Sequence, residues 1–243
     1  MTPKQALTTT QEIIFPESDG KPMAETDVHL NLMVDLIKTL QLFYRSDPNT
    51  YVSGNLLIYW NSTNPLLSVA PDVFVVKGVQ KKKRRVYKLW EEGKGPDMVI
   101  EITSKSTKED DLKRKRELYC KVLHVQEYFL FDPEQEYLPS QLMGFRLEGK
   151  NYQPIEGTNG LSSEVLGLDL ILVGQQFRLY DPMKKATLRI AEETEEALIH
   201  AQVRADQAQA LAQIESLARE KAEAELKKLR LEMKKLRKES GKK

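Results

Sequence analysis

Two acidic residues stand where acids are costly. In PDVFVV, residues 71–76, Asp72 opens an apolar run. In PDMVIEIT, residues 96–103, Glu101 comes near the end of another. An isolated ionised carboxylate is expensive to bury. Each acid must therefore be exposed, paired, or bound to something positive. If both runs are strands, Asp72, Phe74 and Val76 share one face of the first, and Val99, Glu101 and Thr103 share one face of the second. Neighbouring strands would then turn both carboxylates into one cleft. Two close carboxylates repel, and one pKa rises unless a cation intervenes. Mg²⁺ suits such a pair, because it takes one or two carboxylates and completes its shell with waters and phosphate oxygens. An ion of this kind polarises a phosphodiester and activates water. The competing reading, on even terms, is a pair of strand-end acids satisfied by backbone donors or arginines.

The elements that must position these acids are legible around them. Val28, Leu32, Leu36 and Leu40, widened by Met33 and Ile37, predict a helix over 23–44. Residues 51–60 read as a strand with an irregular point at Gly54. Residues 71–76, 97–103 and 127–131 read as strands, the first opening on a permitted proline. Ser106 and Thr107 precede Glu109 and Asp110 at capping-box spacing, which starts a helix running to about Leu123. Strand, helix and strand make a βαβ unit. QLMGFRL, NYQPI and LDLILVGQQFRLYD read as antiparallel strands, with turns at Gly149-Lys150 and Gly174-Gln175.

Taken in order, several blocks resemble a bacterial restriction-endonuclease-like family of the PD-(D/E)xK nuclease superfamily. They are ESDGKPMAET (17–26), GNLLIYW (54–60), APDVFVV (70–76), YKLWEEGKGPDMVIEITSKST (87–107), EYFLFDP (127–133), SEVLGLDL (163–170) and RLYDP (178–182). The resemblance implies an α/β fold with a mixed sheet flanked by helices. It also implies metal-dependent hydrolysis of DNA phosphodiesters, with Asp72 and Glu101 as ligands of Mg²⁺ or Mn²⁺. The superfamily motif wants a lysine two residues after its glutamate, and this chain has Thr103 there. Two lysines compete for the role. Lys105 keeps the strand's parity. Lys115 lies on the following helix, in line with Asp111 and Tyr119 at i, i+4 and i+8, and similar proteins carry such a series. Lys115 is the favoured candidate; its bland reading is a surface lysine paired with Asp111. In similar nucleases an acid from the first helix completes the site, which makes Glu25 a further candidate, with His29 four residues on. An exposed pair at a helix start explains Glu25 and His29 equally well. Because Thr103 replaces the motif lysine, a second reading stays open: a catalytically inactive nuclease fold acting as a nucleic-acid-binding or scaffold module.

The rest of the chain bounds the setting. Its 243 residues, 40% of them hydrophobic, suffice for one sizeable core with an extension. The single cysteine, Cys120, excludes an intrachain disulfide and fits a reducing, cytoplasmic setting. No window is apolar for about 18 residues, so no membrane span is expected, and the N-terminus does not read as a signal peptide. The run KKKRR at 81–85, with Tyr87 and Trp90 nearby, suits phosphate gripping and base stacking or, more often, a solvated loop. Composition changes near Pro182. A domain over 12–185 is followed by a helical tail over 186–243 that ends in a basic stretch. Leu226, Leu229, Met233 and Leu236 repeat at coiled-coil spacing, while Arg219 interrupts the repeat. A homodimer is expected, with the tail as one route to it.

Overall fold

The computed structural model describes residues 13–18, 20 and 26–240, with the side chains of 235–240 outside the described set. Contacts divide the chain into two units after Ala191. The first unit opens with helix α1 (Asp27–Phe43), whose N-cap hydroxyl on Thr26 accepts from the His29 N–H at 3.3 Å. Next come β1 (Thr50–Ser53), β2 (Ile58–Tyr59), β3 (Ser68–Val69), β4 (Val73–Lys77), β5 (Tyr87–Lys88), the short helix α2 (Leu89–Glu92) and β6 (Met98–Ile102). A π-helical segment, Asp110–Lys115, continues into α3 (Arg116–Lys121). Strands β7 (Glu127–Phe131), β8 (Leu142–Glu148), β9 (Asn151–Pro154), β10 (Leu161–Ser163), β11 (Leu168–Val173), β12 (Gln176–Asp181) and β13 (Ala186–Thr187) complete the unit.

The central sheet has the order β1-β4-β6-β7-β8-β9. Only β6 and β7 pair in parallel, because the helical segment between them carries the chain back across the sheet. The remaining neighbours are antiparallel. Side-chain alternation splits the core into two layers. Val73, Val75, Met98, Ile100, Phe129 and Phe131 pack with Met33, Leu36 and Leu40 of α1 and with Leu168, Leu170 and Phe177. Phe74, Val76, Val99, Tyr128 and Leu130 pack on the other face with Leu118, Tyr119 and Leu123. Covered on both faces, β6 and β7 read as continuous apolar runs. That is why Glu101, on β6, is fully buried.

Residues 51–60 differ from the single strand expected there. The chain leaves β1 at Gly54, and Ile58–Tyr59 pairs with β3 and β5 in a separate three-stranded sheet. A Cβ on Gly54 would lie 1.9 Å from the Asp72 carbonyl oxygen, so only glycine permits this approach. The globular unit also runs past residue 185: β13 pairs with β12, Asp181 opposite Ala186.

The second unit, from Glu192 on, is formed by helix α4 (Ala191–Ser240), whose first residue still belongs to the first unit. From Leu198 to Lys234 every side chain is exposed. No described helix is long and apolar enough to cross a membrane.

Candidate active site

The β4–β6 register pairs Val73 with Ile100 and Phe74 with Val99. One step beyond, it sets Asp72 beside Glu101. The two acids are cross-tied through the backbone. The Ile102 N–H donates to Asp72 Oδ2 at 2.7 Å, and the Asp72 N–H donates to Glu101 Oε2 at 3.3 Å. From α1, His29 brings Nε2 to 3.2 Å from Asp72 Oδ1. From the other side of the sheet, Lys115 Nζ lies 3.0 Å from Glu101 Oε2 and 2.9 Å from Asp111 Oδ1. The Tyr119 hydroxyl donates to Glu101 Oε1 at 2.5 Å.

The π-helical segment explains how one short helix delivers three such groups. Four residues of α-helix overshoot a full turn by about 40°. Three residues spaced at four would therefore spiral away from the site. A π turn is wider and undershoots instead. Asp111 to Lys115 spans the π segment and Lys115 to Tyr119 spans α3, so the two errors oppose each other and all three side chains face the sheet. The Tyr128 hydroxyl donates to the Asp111 carbonyl at 3.0 Å, giving a backbone acceptor in this segment a partner.

The electrostatics follow from burial and crowding. Burial pushes the Glu101 carboxyl well above its ordinary range; Lys115 opposes this, and Asp72 and Asp111 add to it. Burial also raises Asp111, again against Lys115. For the Lys115 amine burial works downward, but Glu101, Asp111 and Asp72 outweigh it and hold the amine above its ordinary value. Lys115 is therefore an ammonium at every pH of interest.

Among the described residues no group of three or more His, Cys, Asp and Glu is arranged to hold a metal ion. Mg²⁺ asks for less, namely one or two carboxylates with waters. Asp72 and Glu101 offer hard oxygen donors of that kind. Asp72, Glu101 and Asp111 all act on the one Lys115 ammonium, and Asp111 is held by Lys115 and Thr107, which leaves Asp72 and Glu101 as the oxygen donors for a cation. This donor set fits a hard divalent cation on Asp72 and Glu101.

The structure thus brings together Asp72, Glu101 and Lys115, along with His29. Glu25 lies outside the described residues. Lys105 is exposed in the turn before the helix. Thr103 is buried; its N–H donates to the Phe131 carbonyl at 2.7 Å and its hydroxyl has no partner among the described residues. Lys115 is paired with Asp111, but the pair is buried rather than superficial. Asp111 and Tyr119 gain roles that their spacing only hinted at: one holds the lysine and the other holds Glu101.

Part of the basic run is engaged within the fold, while Lys82, Lys83 and Arg85 are exposed. The Arg84 guanidinium makes two 2.8 Å bonds to Glu92 and lies 4.1 Å over the Tyr51 ring. Arg85 pairs with Glu17, and Lys81 donates to the Tyr44 carbonyl. Tyr87 is fully buried and donates to the Lys94 carbonyl, so it is unavailable for base stacking.

A mixed sheet with two acids at the ends of adjacent strands, and a lysine from the following helix, defines a restriction-endonuclease-like fold of the PD-(D/E)xK type. The profile of the family described as "Uma2: Putative restriction endonuclease" matches residues 6–178, and the chain belongs to this family. A solved structure, described as "a putative nuclease belonging to DUF820 from Anabaena variabilis ATCC 29413", is similar at 16% identity and a TM-score of 0.44, covering 60% of this chain and 76% of that one. No curated protein matches the chain.

Proposed function

We propose that this chain is a Mg²⁺-dependent endonuclease, able to use Mn²⁺, that hydrolyses phosphodiester bonds in DNA. The observation that supports it most is the Lys115 ammonium, held 3.0 Å from Glu101 and 2.9 Å from Asp111 in the pocket that Asp72 shares. Asp72 and Glu101 would hold the cation. When bound, it supplies Lewis-acid stabilisation of phosphoryl charge and a more acidic water.

The chain's own residues do the rest. Lys115 keeps its proton, so it serves as a fixed positive charge for the developing phosphorane and not as a general base. Asp111 anchors that ammonium, so it stays aimed when Glu101 is otherwise engaged. Tyr119 fixes one Glu101 oxygen, and His29 with the Ile102 N–H fixes Asp72. Little reorganisation is left for the transition state.

The test is cleavage of varied DNA substrates with Mg²⁺ or Mn²⁺, beside calorimetric titration of the metals. Wild type should bind metal and cut. Lys115→Ala should bind metal but turn over at least about tenfold more slowly. Wild type that neither binds metal nor cuts any substrate refutes the reading. Thr103 in the motif position favours a second reading, a nucleic-acid-binding module without catalysis. DNA binding with no cleavage under any metal selects it.

A further inference from the structure

We propose that helix α4 is one strand of a parallel, in-register, two-stranded coiled coil, and that the second strand is another copy of this chain. Leu226, Leu229 and Met233 are 51%, 59% and 56% exposed. They follow the 3,4 spacing of a coiled-coil seam, with Leu226 and Met233 at a and Leu229 at d. Long helices draw most of their stability from burying such a stripe. The charges beside the seam select what covers it. Glu225 falls at g and Arg230 at e, and the sequence repeats the pattern one heptad later with Glu232 and Arg237. A parallel pair sets each g residue against the e residue five positions on in the other helix. Glu225 then meets the partner's Arg230, and the sequence offers the same pairing one heptad on. An antiparallel pair sets g against g and e against e, which places glutamate on glutamate and arginine on arginine. The complementarity is therefore that of the helix with itself, in parallel.

Two further features bear on the number of strands and the register. Lys227, Lys228 and Lys234 occupy the outer b and c positions. Two strands leave those positions in water, whereas larger bundles crowd them together. Arg219 falls at an a position, and its Nε lies 3.1 Å from Glu223 of the same helix. A charged a residue costs stability, and pairing with Glu223 of its own helix draws Arg219 away from the seam, so the register is the one that the g and e charges set. Both chains enter such a coil from the same end. A nuclease that cuts both strands of a duplex needs two active sites near one substrate; that consequence rests on the proposed function, while the coil itself does not.

The test uses the full chain. Light scattering at about 20 μM should give a dimer, a working concentration well above a micromolar Kd. Leu229→Asp should give a monomer. With Cys120→Ser as background, Ala222→Cys at a d position should oxidise to a covalent dimer, while Glu220→Cys on the outer face should not. Glu225→Arg with Glu232→Arg should weaken self-association about tenfold or more. Mixing that variant with chains carrying Arg230→Glu and Arg237→Glu should restore association. A monomeric wild type overturns the proposal. So does a dimer that survives Leu229→Asp, or one in which Ala222→Cys fails to cross-link. Metal binding and DNA cleavage are read separately, so failure of the coil and failure of the nuclease reading remain distinct.

Discussion

Replacing Lys115 by methionine removes a charge and little volume, and it tests the electrostatic account of the site. In the wild type one ammonium lies 3.0 Å and 2.9 Å from two buried carboxylates. At an effective dielectric constant of about 20, each contact is worth roughly 5 kcal/mol of Coulomb energy before desolvation. Burying the lysine consumes several kcal/mol of the total. Removing one partner of a buried pair typically costs about 3–5 kcal/mol, because the remaining charge is left uncompensated. Lys115→Met should therefore lower stability by about 3 kcal/mol at pH 7.5, or roughly 10 °C in midpoint for a domain of this size. The penalty has a ceiling, since Glu101 and Asp111 can take up protons. Their folded pKa values are already raised by burial, and losing Lys115 raises them further. A carboxyl raised above its unfolded value stabilises the fold when protonated, and this contribution is lost as pH rises through the folded pKa. The deficit of the variant should thus shrink on acidification, by up to about 2.7 kcal/mol per carboxyl between pH 7.5 and 5.5. Mg²⁺ should also raise the midpoint of the variant more than that of wild type, because it offers the charge that the variant lacks. Urea unfolding at the two pH values, with and without Mg²⁺, measures each point. A variant as stable as wild type at pH 7.5, or one whose deficit grows on acidification, would refute the reasoning.

Other perturbations probe the remaining contacts. Asp72→Asn and Glu101→Gln should each weaken Mn²⁺ binding by about tenfold or more and reduce cleavage at least about 100-fold, read by calorimetry and by a plasmid assay. Gly54→Ala should destabilise the fold by about 1–3 kcal/mol and impair cleavage, because its new methyl meets the Asp72 carbonyl at 1.9 Å and Ile37 Cδ1 at 2.7 Å; thermal unfolding and the cleavage assay check it. Arg84, then Lys82, hold the Glu92 carboxyl below its ordinary value of 4.5. The stability that Glu92 contributes is therefore present above 4.5 and lost as pH falls through the lower folded value. Glu92→Gln should cost about 1 kcal/mol at pH 7 and flatten the acid limb of a urea-midpoint profile against pH.

Local patterns determined much of this molecule without tertiary help. The strands EYFLF and MVIEI show as apolar runs, and the first helix shows as a stripe through Leu32, Leu36 and Leu40; each element must bury those side chains wherever it packs. Alternation alone put Asp72 in phase with Phe74, and Glu101 with Val99. The long tail was legible because its composition permits little but helix. Tertiary structure decided the rest, because those outcomes depend on distances between residues far apart in sequence. Parity could not say that β4 and β6 are neighbours in the register that cross-ties Asp72 to Glu101; that is set by the packing of both faces of the sheet. Lys115 and Lys105 are equivalent as letters. Only the wide π turn and the burial of Asp111 place one amine at the acids, while the other stays in a solvated turn. KKKRR is five basic letters in sequence, and only the fold turns Arg84 onto Glu92, Arg85 onto Glu17 and Lys81 onto the Tyr44 carbonyl. The chain from Tyr51 to Trp60 carries one apolar pattern yet serves two sheets, because the close approach of Gly54 to Asp72 ends the first strand at the edge of the site.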